Sequence, residues 1–339
     1  MKEYPVVFAT DNNYIPYLSA AICSLIENAN KKNKYKIFVL YEKLDSENIS
    51  IIKAMAKENI TIDFIEITKC LEQFREKLYT KMHISVATYY RFLIPELFKD
   101  YDKVLYLDCD LIVNCDVEEL FEIDIQDNII GAIVDIVTTD KRNRYYSALL
   151  NLDIEPKDYF NAGVCIIDIK NARNFNLLDK CFKALSVHKN LSFMDQTILN
   201  IVLKGKYFKI NQKYNLQWQL LFSEYENMEF IDKSIFEDYK RAIYKPKIIH
   251  YTSSTKPWNS VKRKQILAHY FWKYARLSPF YEIILFKMFA YVQKEYKKIT
   301  KLELLNCKIK SKIPWGKQDY YRKKYMNLKE KIRIYEELN

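Results

Sequence analysis

The sequence predicts an α/β protein: a mainly parallel central sheet with helices on both faces, followed by a basic helical C-terminal region. Three observations carry that reading. Short apolar runs alternate with helical patterns over residues 5–98, the order that βαβ units produce. The apolar runs are continuous, as in strands covered on both faces. The charge is uneven: residues 285–339 hold 15 Lys/Arg against 6 Asp/Glu, a net of +9 out of +11 for the whole chain. We therefore expect a main domain over residues 1–260 and a helical, basic-aromatic region over 261–339.

Taken in order, residues 5–10 read as a first strand, and Asp11-Asn12-Asn13-Tyr14 is turn chemistry at its end. A helix follows, with Tyr17, Leu18, Ala21, Leu25 and Asn28 at helical spacing. Residues 37–40 form a second strand, Asp45 and Ser46 offer N-caps for a helix to about residue 57, and residues 60–67 form a third strand. Ser85 can cap a helix over 86–98 that contains Arg91 and a late Pro95. Residues 104–113 read as one buried strand carrying Asp108 and Asp110 at its centre. Further strands are expected at 128–135, 160–168 and 247–251. Asp195 reads as the N-cap of a helix over 196–203 closed by Gly205. Helical patterns resume from residue 260.

Composition excludes several functions. The chain has only four glycines, Gly131, Gly163, Gly205 and Gly316, whereas a Walker A loop or a Rossmann fingerprint needs several close together. A bound nucleotide would therefore be held by a metal and by Lys or Arg. The seven cysteines are scattered, with no Cys-x-x-Cys pair, which argues against a disulfide framework or a zinc ribbon and for a reducing compartment. With no signal-peptide pattern and no spanning apolar run, the expected location is the cytoplasm, peripheral at the inner face of the membrane if the tail binds there.

Asp108 and Asp110 share one side of their expected strand, because side chains alternate. Carboxylates that close repel unless a cation sits between them, and open α/β sheets place ligands at strand ends. That points to a hard divalent cation. Taken alone, a strand ending in a solvated polar turn outweighs it.

Five stretches in order change the weighting: Phe8-Ala9-Thr10-Asp11-Asn12-Asn13-Tyr14; Ala87-Thr88-Tyr89-Tyr90-Arg91-Phe92; Leu107-Asp108-Cys109-Asp110; Phe160-Asn161-Ala162-Gly163-Val164; and His250-Tyr251 before Lys256-Pro257-Trp258, with Asp195-Gln196 between the last two. The set resembles family eight of the retaining glycosyltransferases over roughly residues 5–260. The resemblance implies a GT-A fold, a UDP-hexose donor carrying galactose or glucose, and a glycan or lipid-linked acceptor. It implies Asp108, Asp110 and His250 as metal ligands, with manganese favoured over magnesium because imidazole is a softer ligand than magnesium prefers. It also implies Ala9, Asp11, Asn13 and Tyr14 around the uridine, Asp108 and Cys109 at the donor, and Arg91, Asp135, Asn161, Asp195 and Gln196 around the sugar. Asp135, Asp195 and Gln196 are its candidate catalytic residues, and Lys256 its phosphate contact. One departure stands out: Ser253 occupies a position, three residues after the histidine, where the family often has glycine.

Two readings compete. A haloacid-dehalogenase-like phosphatase also carries Asp-x-Asp, but it expects Thr or Val where this chain has Ile112, and a later acidic pair that is missing. A non-catalytic anionic-surface binder could be built on the tail. The near-neutral main body offers no second basic patch, so no nucleic acid partner is expected. The tail itself has two readings of similar weight, a structural cap or an anchor to an anionic membrane surface.

Overall fold

The computed structural model describes residues 2–78, 85–188, 191, 193–218, 230–253, 255–259, 266–310, 321–327 and 329. Its ten strands are β1 (Glu3–Ala9), β2 (Lys34–Tyr41), β3 (Ile60–Glu66), β4 (Lys103–Leu107), β5 (Leu111–Val113), β6 (Ile130–Val134), β7 (Phe160–Asp168), β8 (Tyr207–Ile210), β9 (Leu216–Gln217) and β10 (Ile248–His250). Seven form the main sheet in the order β3-β2-β1-β4-β7-β6-β8. β1 to β4 run parallel, and so do β6 and β8, while β7 is antiparallel to both its neighbours.

The continuous apolar runs have the expected cause. In β4, Val104 and Tyr106 enter one core, with Tyr89, Phe92 and Phe182, while Leu105 and Leu107 enter another, with Leu18, Ile22 and Leu25. Both faces are covered, so both phases of the strand must be apolar. The helix Ile15–Asn28 supplies the second core; Pro16 suits its first turn, where the missing N–H costs nothing.

The stretch read as one strand over 104–113 is two. The first ends at Leu107 in the main sheet, and Leu111–Val113 belongs to a second sheet of order β5-β10-β9. Asp108-Cys109-Asp110 is the crossing between them, so strand alternation does not set the aspartates' geometry. Two other expectations also change. Residues 86–98 are a 3-10 helix, Val86–Leu93, then a short α-turn, Ile94–Leu97; Ser85 does cap the first, accepting from the Ala87 N–H at 3.2 Å. The later helix runs Met194–Val202 with Phe193 at its N-cap position, so Asp195 lies inside its first turn rather than at the cap.

The chain divides into two compact units. The first holds Met1–Pro257 and Lys264–Tyr281, including the helix Ala268–Ala275, whose Tyr274 hydroxyl accepts from Asn28 Nδ2 at 2.8 Å. The second holds Trp258–Arg263 and Glu282–Asn339, and thus most of the helix Tyr281–Lys310. No helix among the described residues is long and apolar enough to cross a membrane. Of the residues named above, Gly316 lies outside the described ones.

Candidate active site

β1 and β4 are neighbours at the point where the strand order reverses, the switch point at which open α/β sheets bind ligands. A cleft of about 530 Å³ opens there. Every candidate residue inferred from the sequence lines it except Asn13: Ala9, Asp11, Tyr14, Arg91, Asp108, Cys109, Asp110, Asp135, Asn161, Asp195, Gln196, His250, Ser253 and Lys256. Asn13 is exposed, and its backbone N–H closes the turn onto Asp11 Oδ1 at 2.9 Å. The cysteine between the aspartates is buried, and its thiol donates to the Ala9 carbonyl, tying the β4 end to the β1 end.

Two sheets meet to build the acidic centre. The β4–β7 ladder continues past β4, with Asp108 N–H donating to the Gly163 carbonyl at 2.9 Å. In the second sheet, His250 is paired with Leu111, and the Tyr251 N–H donates to the Asp110 carbonyl at 2.9 Å. Asp108, Asp110 and His250 thereby converge, with one ligand atom from each within 4.8 Å of the others. His250 Nε2 lies 3.0 Å from Asp110 Oδ1 and 3.7 Å from Asp108 Oδ2. Gly163 makes room for this: a Cβ there would stand 2.2 Å from His250 Cε1 and 2.7 Å from Asp108 Oδ2.

A chain of amides sets the imidazole. Gly163 N–H donates to Asn161 Oδ1 at 3.0 Å, so Asn161 Nδ2 faces Asp135 Oδ2 at 3.3 Å and Gln196 Oε1 at 3.1 Å. Asn215 Nδ2 then donates to Asn161 Oδ1 at 2.9 Å, which leaves Asn215 Oδ1 to accept from His250 Nδ1–H at 3.0 Å. In the neutral ring, the Nε2 lone pair therefore points at two acceptor-only carboxylates. Three converging acceptors call for a shared cation, and carboxylate plus imidazole is a donor set that manganese accepts. The residues present fit a divalent metal.

Charges around this centre are paired. Lys256, buried, donates to Asp110 Oδ2 and to the Tyr251 carbonyl. Burial works against Asp110's ionisation, but the Lys256 ammonium opposes it, and the carboxyl is held below the usual range. Arg91, also buried, binds Asp108 Oδ1 at 2.9 Å, Asp195 Oδ2 at 3.1 Å and the Ala162 carbonyl at 2.6 Å, and lies over the Tyr106 ring. The Asp195 carboxylate, expected as a helix cap, instead meets Arg91 and the Thr88 hydroxyl. Burial raises its pKa, with Arg91 opposing. Burial also raises Asp135's, opposed by hydrogen bonds from Gln196 and Asn161; the Gln196 Nε2 bond is 2.9 Å.

Ser253 has φ of +74°, in the left-handed region. Glycine enters that region without cost, which accounts for the residue type the resemblance expects there. Its hydroxyl accepts from the Thr255 N–H at 3.3 Å. Sequence reasoning missed Tyr106, which donates to Asp108 Oδ1 at 2.8 Å, and Asn215, as well as Arg144, Tyr145 and Phe193 on the cleft wall. Asn215, within Lys213-Tyr214-Asn215-Leu216, carries no local signal beyond a polar residue among apolar ones.

Residues 5–262 match the family model described as Glycosyl transferase family 8. The chain is 32% identical over 212 residues to a "Putative glycosyltransferase" of Haemophilus influenzae, covering 62% of each chain. It is 28% identical to a "Lipopolysaccharide 1,2-glucosyltransferase" of Escherichia coli, covering 83% of this chain and 80% of that one. Among solved structures it resembles the galactosyltransferase LgtC in complex with donor and acceptor sugar analogues, at a TM-score of 0.67 and 26% identity, over 81% of this chain and 96% of that one.

Proposed function

From the premise that this chain belongs to glycosyl transferase family 8, we propose that it moves a hexose, galactose or glucose, from a UDP-sugar to a glycan or lipid-linked glycan acceptor, with retention of configuration and with manganese ahead of magnesium. One observation carries this reading: Asp108, Asp110 and His250 bring one ligand atom each within 4.8 Å of the others, beside Lys256, at the switch point of the sheet. The lipopolysaccharide glucosyltransferase relative and the LgtC complex support the same substrate classes.

Asp108, Asp110 and His250 would hold the metal, which when bound neutralises charge on the departing diphosphate. Lys256 exchanges Asp110 for a phosphate oxygen, a role suited to a mobile point charge. Ala9, Asp11 and Tyr14 take the uridine, with Asn13 holding the Asp11 turn beside them, and Cys109 and Ser253 line its diphosphate side. Arg91 positions Asp108 and Asp195, because its guanidinium is already committed to them.

The bond from the anomeric carbon to the diphosphate breaks, the acceptor hydroxyl forms the new bond on the same face, and its proton passes to the departing phosphate oxygen. Gln196, an amide, is a poor nucleophile. Its Oε1 accepts from Asn161 and from the Ala162 N–H, and its Nε2 donates to Asp135, an arrangement that supports a role in orienting the oxocarbenium-like sugar. Asp135 and Asp195 are each tied by several donors, which argues against a covalent glycosyl intermediate on either. The test is UDP release and product NMR from UDP-galactose and UDP-glucose with manganese. An axial-to-axial outcome with UDP as co-product is expected; an inverted anomer, or a glycosylated peptide containing Asp135 or Asp195, would overturn the mechanism. Release of inorganic phosphate instead would favour the phosphatase.

We also propose that the C-terminal region meets an anionic membrane surface from the cytoplasmic side, where a lipid-linked acceptor is presented. Ile283, Phe286 and Phe289, spaced by three, are 45%, 74% and 58% exposed on the helix Tyr281–Lys310, which leads into the basic segment, a pattern suited to interfacial binding. Truncation after Lys287 should abolish salt-sensitive binding to anionic liposomes while donor hydrolysis persists. Undiminished liposome binding, or a truncated chain that fails to fold, would favour the structural cap.

A further inference from the structure

Among the described residues, three lysine and arginine side chains line the cleft: Arg91, Lys256 and Arg144. The first two are buried and paired with carboxylates. Arg144 is exposed, and the hydrogen-bond partner of its Nη2 is the Tyr145 hydroxyl, at 3.0 Å. Its neighbour Arg142 shows the contrast, since it is held by both oxygens of Asp140 at 2.9 and 2.7 Å and does not line the cleft. Among the described residues, Arg144 is thus the cleft's cation with no carboxylate partner.

Its place along the cleft identifies what it faces. In the order β1-β4-β7-β6, the uridine loop follows β1, and the acidic centre follows β4. Asn161 is on β7 and Asp135 directly follows β6, and Arg144 comes later on the same chain segment, beyond the 3-10 turn Ile136–Thr139. Uridine and Arg144 therefore flank the centre from opposite sides, with the sugar residues between. The diphosphate belongs to Asp108, Asp110 and Lys256, and a hexose carries no charge. An anion reaching Arg144 must come from the acceptor. The rings of Tyr145 and Phe193, 4.4 Å between centroids and both on the cleft wall, give that end an apolar face beside the cation.

We propose that the acceptor carries an anionic group, a phosphate or a carboxylate, close to the hydroxyl that is glycosylated, and that Arg144 reads it. This rests on the transferase reading above. Arginine's planar fork suits either anion bidentately.

The test is calorimetric titration of the full chain, held with manganese and UDP, with phenyl β-glucoside, its 6-phosphate and phenyl β-glucuronide. Wild-type protein should bind the two anionic glycosides about tenfold more tightly than the neutral one, the scale of one charge-assisted contact. The phosphate and uronide arms show which anion is preferred. Arg144→Gln should bring the ratio near one, Arg144→Glu should invert it, and Arg144→Lys should keep part of it. Equal affinities, no binding of either anionic glycoside, or an unchanged ratio in Arg144→Glu would overturn the proposal. UDP-hexose turnover measured on the same wild-type sample separates this from the transferase reading: turnover without charge preference refutes only the role of Arg144, and charge preference without turnover refutes only the transferase.

Discussion

Replacing Gly163 by alanine adds one methyl group at the point where the two sheets meet. An ordinary contact between carbons is about 3.5–4.0 Å, and the new Cβ would begin 2.2 Å from His250 Cε1, 2.8 Å from His250 Nδ1 and 2.7 Å from Asp108 Oδ2. The imidazole must give by more than an ångström, and its Nδ1–H bond to Asn215 resists. Overpacking of a tight site costs about 1–3 kcal/mol, which for a domain of this size lowers Tm by about 2–4 °C per kcal/mol. Displacing the His250 ring should also weaken manganese binding by about 10–100-fold, the range seen when groups that orient a ligand are lost. Gly131→Ala is the control, since its Cβ would meet the side chains of Ile125 and Ile210, at 2.7 and 2.9 Å, and no group of the acidic centre. It should cost stability without touching metal affinity. Manganese titration and thermal unfolding of both variants give the four numbers. If Gly163→Ala bound manganese like the wild type, the account of Gly163 as space reserved for the ligands would be wrong.

Other outcomes follow from the same geometry. Asn215→Leu should lower metal affinity about 10–100-fold, while Asn215→Asp, which still accepts from His250 Nδ1–H but cannot donate to Asn161, should retain metal and weaken UDP-hexose binding; identical behaviour of the two in manganese titration would refute the amide relay. Ser253→Gly should raise stability by about 1 kcal/mol by removing a left-handed non-glycine residue, read as a Tm increase of a few degrees. Asp135 has its pKa raised in the fold by burial, so its ionisation penalises folding. The penalty is absent below the unfolded-state value of about 3.9, grows as pH rises through the folded-state value, and is full above it. The Tm of Asp135→Asn relative to wild type should therefore climb as pH rises from acid to neutral, and a flat difference would contradict the burial argument.

The sheet was legible because both faces are covered and each strand is a continuous apolar run. The same property hid the break at Asp108. Apolar residues on both sides of Asp108-Cys109-Asp110 look like one strand, because periodicity does not register a chain that leaves one sheet and enters another. Asp195 shows a related limit. An aspartate before an apolar helical pattern satisfies the rule for a cap, and only through-space proximity to Arg91 and Thr88 decides that its carboxylate turns elsewhere. The three converging acceptors Asp108, Asp110 and His250 and most of the residues lining the cleft stand in ordered short motifs, while Asn215 and Tyr106 do not, since their contacts exist only in three dimensions. Ser253 lay between: its departure from glycine is visible in the sequence, and the φ of +74° gives the reason.

The central claim is that Asp108, Asp110 and His250 hold a divalent cation that a UDP-sugar needs. It is tested most directly by titrating UDP into wild-type protein, Asp108→Asn and Asp110→Asn, each with manganese and with chelator, alongside thermal unfolding. The account predicts tight UDP binding for the wild type in manganese alone, and a loss of that dependence in both folded variants. Metal-independent UDP binding by the wild type, or full manganese-dependent binding by either variant, would contradict it.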